Sequence, residues 1–226
     1  MSSTAKSPIH HPEVASMRVT YDQHHLADNE VQTCPFAQFE EWFGDAKRDP
    51  SGIPEPNAMN LSTASRAGRP SSRMVLLKDY DDEGFVFYTN YESRKARELA
   101  ENPFAALTFW WGQRCVRIEG RVEKTTTEES DAYYASRPLG SRLGAWASPQ
   151  STVLDGGRPQ LENMEVEVKT RFEGKEDIPR PPFWGGFRVI PDRIEFWAGR
   201  PSRLHDRIVY SRPEPKSPWA VSRLAP

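Results

Sequence analysis

The chain has 226 residues, 27% of them charged, with 30 Lys and Arg against 32 Asp and Glu and a formal net charge of −2. That length suits one domain with a real core, and the near-balanced charge (pI about 6.2) argues against a general polyanion binder such as a non-specific nucleic-acid protein. A mean hydropathy of −0.73, no apolar run near the ~18 residues of a membrane span, no apolar signal core and two isolated cysteines (Cys34, Cys115) predict a cytoplasmic protein without disulfides or zinc.

Residues 1 to about 33 are polar and without periodicity, which predicts a flexible arm ahead of one domain over 34–226. Within the arm, Met17-Arg18-Val19-Thr20-Tyr21 is the patch suited to docking. His10-His11 and His24-His25 lack further ligand spacing, so no metal site is expected. Pro35 to Lys47 reads as an amphipathic helix, with Phe36, Phe39, Trp42 and Phe43 on one face. Residues 49–54 form a loop, Ala58 to Ala64 a strand and 66–70 a turn. Met74 to Leu77, bracketed by Arg73 and Lys78, and Phe85 to Thr89 read as a hairpin across the polar turn Asp79 to Gly84. A helix follows, capped by Ser93 and stopped before Pro103.

Phe104 to Trp111 and Arg114 to Lys124 are strands, the second with Cys115, Arg117 and Glu119 on one face and Val116, Ile118 and Gly120 on the other. Thr127 to Ser136 is a short helix with Thr127 as cap, ended by Arg137-Pro138. Ser141 to Ala147 is another, Gln150-Ser151-Thr152 a loop, Arg158 to Phe172 a charged amphipathic helix, and 178–182 a stiff connector. Gly185 to Val189, Arg193 to Trp197, Arg207 to Tyr210 and Trp219 to Ser222 are strands. Seven or eight strands with four helices at the joins predict a mainly β protein, an antiparallel barrel with peripheral helices.

Arg94, Lys95 and Arg97 crowd the first turn of the Ser93 helix, where each cation is unfavourable by about 0.3–1 kcal/mol. A phosphate held by the free N–H groups reverses that sign; a solvated basic turn is the other reading. Three basic groups recur at element ends: Arg73, Lys78, Arg94 and Lys95; Tyr133, Arg137, Ser141 and Arg142; Arg200, Arg203, His205 and Arg207. Two phosphorylated ligands side by side is one account, and scattered surface cations the other. Arg73 and Lys78 are five apart, so strict strand alternation puts them on opposite faces, roughly 16 Å apart at ~3.3 Å per residue. No nucleophile elbow, dinucleotide fingerprint or Walker loop is present, so catalysis would lean on a cofactor.

Arg203-Leu204-His205-Asp206-Arg207, Glu195-Phe196-Trp197, Trp184-Gly185-Gly186, Ser136-Arg137-Pro138, Gln150-Ser151 and the terminal Arg223-Leu224-Ala225-Pro226 closely resemble the pyridoxamine 5′-phosphate oxidase family, as do Pro56-Asn57-Ala58-Met59, Arg73 to Lys78 and Ser93-Arg94-Lys95. The resemblance runs in order from about Phe36 to Pro226. It implies a split β-barrel homodimer with FMN at the interface, oxidising pyridoxamine or pyridoxine 5′-phosphate to pyridoxal 5′-phosphate with O2 as acceptor and hydrogen peroxide as product. By motif position, FMN is held by Arg73, Met74, Val75, Leu76, Leu77, Lys78, Tyr88, Thr89, Arg94, Lys95, Gln150, Ser151, Trp197 and Arg207. The substrate phosphate meets Lys78, Tyr133, Arg137 and Ser141. Arg203, Leu204 and His205 lie over the pyridine so that hydride leaves C4′ toward flavin N5. Arg18 and Tyr21 resemble the family's segment that closes over the substrate.

One departure stands out. In Arg114-Cys115-Val116, Cys115 takes the place of a glutamine that usually contacts the flavin, and Gln113, two residues earlier, is the expected substitute. Two other readings stay open: a split-barrel flavoenzyme for another planar molecule such as a phenazine precursor, and a non-catalytic flavin or pyridoxal phosphate binding protein.

Overall fold

The computed structural model describes residues 12–49, 52–175 and 177–226. In chain order the elements are α1 (Pro12–Ser16), α2 (Pro35–Arg48), β1 (Ala58–Ala64), β2 (Pro70–Leu76), β3 (Asp79–Tyr80), β4 (Phe85–Asn90), α3 (Arg94–Glu101), β5 (Phe104–Trp111), β6 (Arg114–Lys124), α4 (Thr127–Ser136), α5 (Leu139–Ala147), α6 (Gly157–Arg171), β7 (Trp184–Ala198), a 3-10 turn (Pro201–Arg203), β8 (Asp206–Ser211) and β9 (Ala220–Arg223). The strands run β2-β1-β5-β6-β7-β4-β3, with β8 on β7 and β9 on β8. Every pairing is antiparallel.

The 15-residue β7 organises the sheet. One edge pairs with β6 along its length. The other edge is shared: β4 takes Trp184 to Val189 and β8 takes Arg193 to Ala198, so the sheet divides between them. At that point the β6 register shifts between Glu119 and Gly120, which pair with Arg193 and Pro191 and leave Asp192 as the extra residue of a bulge. Backbone approaches so closely there that a Cβ on Gly120 would sit 2.1 Å from the Ile190 carbonyl oxygen. The result is a curled, split barrel with helices around it.

Helix α2 closes one side of the core. Phe39 is fully buried, with ring centroids 4.9 Å from Phe85, 5.0 Å from Tyr80, 5.2 Å from Phe109 and 5.7 Å from Trp111. Trp42 meets Phe196 edge-on at 5.2 Å. Such pairs contribute ~0.5–1.5 kcal/mol each beyond the area they bury.

Several expectations change. The Met74 to Leu77 run does not form a hairpin with β4. Met74 to Leu76 belong to β2, which pairs with β1 from Ala58↔Leu76 to Ala64↔Pro70. The hairpin partner of β4 is the short β3, because the Asp81 carboxylate accepts from the Glu83 and Gly84 N–H groups and folds the turn tightly. The strands expected at 185–189 and 193–197 are one strand, since the bulge lets β7 pass Pro191 without breaking. The cap of α4 is Thr126, in a capping box with Glu129, rather than Thr127. Helix α6 has no fully buried residue; Leu161, Met164 and Val168 are half-buried and Val166 is exposed.

The proposed arm divides as well. Residues 1–11, with His10 and His11, lie outside the described residues. The stretch from Thr20 to Gln32 is docked on the barrel: Leu26 is in the core, its N–H donates to Asp206, its carbonyl accepts from Arg223, and the Tyr210 hydroxyl donates to the Gln32 carbonyl.

Candidate active site

The start of α3 builds the first half of the site. Ser93 caps the helix by accepting from the Ala96 N–H. Lys95 then turns inward and is only 7% exposed. Its ammonium donates to Gln150 Oε1 (2.8 Å), Thr89 Oγ1 (3.0 Å) and Ser93 Oγ (3.3 Å). Burial, with Arg73 nearby, lowers its pKa to about 8. The Arg94 N–H donates to Ser151 Oγ, and Ser151 is held at φ 72, a left-handed conformation that costs ~1–3 kcal/mol outside glycine.

Arg73 and Arg94 are committed elsewhere. Both reach Glu98, at 3.4 Å and 2.9 Å, and Arg73 also donates to Leu61 O, Thr63 Oγ1 and Ser71 Oγ. Burial opposes ionisation of Glu98, but hydrogen bonds from Ser71, Thr63 and Arg94 outweigh it and hold its pKa down at about 2. Glu98 was not among the expected site residues. Its place at i+4 from Arg94 is the signal that points to it.

Across the cleft stand α4 and α5. Tyr88, Tyr133 and Trp184 form a nearly parallel aromatic slab, with Tyr88–Tyr133 centroids 4.0 Å apart and Tyr88–Trp184 5.6 Å. Burial, then Glu129, pushes the Tyr88 phenol up to about 12. The Arg137 guanidinium lies 4.6 Å from the Trp184 ring centre, and its buried Nη1 has no hydrogen-bond partner. Among the described residues neither Lys95 nor Arg137 has a carboxylate partner.

These groups line one cleft of about 960 Å³. Of the expected residues it brings together Arg73, Met74, Val75, Leu76, Lys78, Tyr88, Thr89, Arg94, Lys95, Tyr133, Arg137, Ser141, Gln150 and Ser151. The alternation argument for Arg73 and Lys78 fails because β2 ends at Leu76; both line the same cleft. Leu77 does not line it. Its side chain is in the core, and its N–H and carbonyl are both bonded to Asn57.

The remaining expected residues lie outside this cleft, and three of them, Tyr21, Trp197 and His205, form a second cluster. The Trp197 ring lies 4.6 Å from His205 and 5.7 Å from Tyr21, and Tyr21 lies 5.7 Å from His205. His205 Nδ1 accepts from the Arg200 N–H at 3.0 Å, which places the proton of the neutral ring on Nε2. Ser202 and Arg203 are consecutive left-handed residues at φ 59 and 63. Leu204 is exposed, as is Arg18 on the arm. Arg207 donates to Glu195 Oε1 (2.8 Å) and the Ala225 carbonyl (2.9 Å). Trp184 on the cleft and Trp197 in the cluster are separated along β7 by a contour of about 40 Å at ~3.3 Å per residue.

Gln113, the expected stand-in for a flavin-contacting glutamine, is turned to the N-terminal segment. It is 7% exposed, and both ends of its carboxamide are bonded to the Thr20–Gln23 segment. Cys115 is half-buried opposite Trp197, and burial raises its thiol pKa to about 11. Among the described residues no group of three His, Cys, Asp or Glu side chains is placed to hold a metal ion. No helix among them is long and apolar enough to cross a membrane.

Residues 50–169 match the family model described as pyridoxamine 5′-phosphate oxidase, and residues 184–226 match that of the pyridoxine 5′-phosphate oxidase C-terminal dimerisation region. A pyridoxine/pyridoxamine 5′-phosphate oxidase of Burkholderia ambifaria is 56% identical over 216 residues, covering 94% of this chain and 99% of that protein. One from Paraburkholderia phytofirmans is 53% identical over 215 residues with the same coverage. Among solved structures, PhzG from Burkholderia lata in complex with tetrahydrophenazine-1-carboxylic acid superposes with a TM-score of 0.82 at 30% identity, covering 92% of this chain and all of that one. A pyridoxamine 5′-phosphate oxidase-related, FMN-binding protein from Nostoc punctiforme shares the fold, with a TM-score of 0.66 at 16% identity over 87% of this chain and all of its own.

Proposed function

We propose, from the premise that this chain belongs to the pyridoxamine 5′-phosphate oxidase family and takes FMN as its cofactor, that it oxidises pyridoxamine and pyridoxine 5′-phosphate to pyridoxal 5′-phosphate in the cytoplasm, with O2 as acceptor. One observation carries the reading. A single cleft holds two cations without carboxylate partners, Lys95 at the α3 start and Arg137 at the α4 end, with Lys78 on its wall and an aromatic slab alongside. Two phosphates and a planar ring satisfy that arrangement. The residues fit FMN for a specific reason: Lys95 is a buried ammonium among neutral oxygens, and a phosphate supplies the missing anion.

Bound FMN supplies the two-electron acceptor that O2 then reoxidises to yield hydrogen peroxide. Lys95, Gln150, Thr89 and Ser151 hold the cofactor's phosphate. Lys78, Tyr133, Arg137 and Ser141 hold the substrate's. Arg203 and His205 orient the pyridine, the latter with Nδ1 fixed by the Arg200 N–H and its Nε2 proton available to donate. Positioning and charge are then the chain's main contribution. Because Arg203 and His205 stand outside the cleft of their own chain, we assign them to the site of the second subunit in a homodimer with FMN at the interface; the dimerisation-region match supports this.

The likeness to PhzG favours one other reading, a planar carboxylate substrate without phosphate. Oxygen uptake separates the two. The proposal expects turnover of pyridoxine 5′-phosphate and a kcat/KM at least 100-fold lower for pyridoxine. Equal rates on the two, or turnover of tricyclic carboxylates alone, would favour the second reading.

A further inference from the structure

Gln113 sits in the turn between β5 and β6, far in sequence from the segments it touches. Its Oε1 accepts from the N–H groups of Asp22 (2.9 Å) and Gln23 (3.1 Å), and its Nε2 donates to the Thr20 carbonyl (3.0 Å). Its own carbonyl accepts from the Gly199 N–H at 2.8 Å. One nearly buried residue therefore ties the N-terminal segment to the end of β7, where the loop carrying Arg203 and His205 begins.

The residue inside this clasp is Tyr21. Its ring packs edge-on against both His205 and Trp197. It also lies on Gly199, where a Cβ would be 2.5 Å from Tyr21 Cδ1. Only glycine allows that approach. The ring thus packs against His205, whose Nδ1 is held by the Arg200 N–H, beside a loop with two consecutive left-handed residues.

We propose that Gln113 is a positioning residue: its carboxamide clasps Thr20 to Gln23 and so holds the Tyr21 ring against His205 and Trp197. It acts through Tyr21 and has no contact with cofactor or substrate. The kinetic part of this inference rests on the function proposed above, whereas the clasp itself does not.

Gln113→Met keeps the side-chain length and loses all three hydrogen bonds; Gln113→Glu keeps the two accepted ones. In the holoenzyme, hydrogen exchange at the Asp22 and Gln23 amides should quicken at least tenfold in Gln113→Met and less in Gln113→Glu. FMN content should stay unchanged, and kcat/KM for pyridoxine 5′-phosphate should fall about tenfold, with partial recovery in Gln113→Glu. In a Tyr21→Ala background, Gln113→Met should add no further loss. Unchanged amide exchange, loss of FMN from Gln113→Met, or losses that simply multiply in the double variant would each overturn the proposal. If the wild type fails to turn over this substrate, the substrate reading falls alone. Amide exchange at Asp22 and Gln23 then decides the clasp.

Discussion

Lys95 shows most plainly what one residue contributes. An ammonium that is 7% exposed among neutral oxygens is costly alone and useful beside an anion. With its pKa near 8 in the protein against 10.5 ordinarily, two opposite slopes follow. Between those values the unfolded chain binds more protons, so this group makes the apoprotein more stable as pH rises. FMN needs the charged form, so Lys95 should contribute fully below pH 8, and Kd should begin to weaken with rising pH only above it, toward tenfold per unit. Lys95→Met should remove that step and weaken binding at pH 7 by about 2 kcal/mol, roughly thirtyfold. A Kd indifferent to pH between 8 and 10 would show that Lys95 does not meet the phosphate. Arg137→Ala should instead leave FMN bound and raise KM for pyridoxine 5′-phosphate about 100-fold, erasing its advantage over pyridoxine. The crowding of basic residues at the Ser93 helix was legible in sequence. The pairing of Arg94 with Glu98, one turn apart on α3, could have been read there too, but the diversion of Arg73 to the same carboxylate could not, because it depends on β2 meeting α3.

At the scale of elements, Glu98 joins α3 to β1 and β2. Its folded pKa of about 2 lies below the usual 4.5, so its contribution is complete above pH 4.5 and is lost as pH falls toward 2. Glu98→Gln should flatten that acid limb of the stability curve and loosen Arg73; an unchanged acid limb would contradict the joint. The β7 bulge is the second structural joint. Gly120→Val would push a Cβ into the Ile190 carbonyl, so about 3 kcal/mol of stability should be lost, near 10 °C in Tm by thermal unfolding. Strand positions such as Ala58–Ala64, Phe104–Trp111 and Arg114–Lys124 were readable to the residue, because alternation and turn residues mark them. Pairing was not. The apolar Met74–Leu77 run carries no mark of whether β1 or β4 is its partner, and Pro191 reads as a break until the bulge around Asp192 is seen.

For the whole molecule, the expected site residues divide between a cleft and a cluster that one chain keeps apart. Sequence named both sets but could not group them, since grouping is a property of the barrel and its partner. In a symmetric dimer with shared sites, mixing inactive Lys95→Glu and Arg203→Ala chains should restore about a quarter of wild-type activity, because half the dimers then hold one intact site of two. No recovery on mixing would place each site within one chain. On the function proposed above, the cleft takes FMN and a phosphorylated pyridine that reduces it. The measurement is anaerobic visible spectroscopy of the FMN-loaded protein on addition of pyridoxine 5′-phosphate. The yellow absorption should bleach and return when air is admitted. A spectrum that stays yellow with this substrate, while the flavin remains bound, would rule out a phosphorylated pyridine as the reductant.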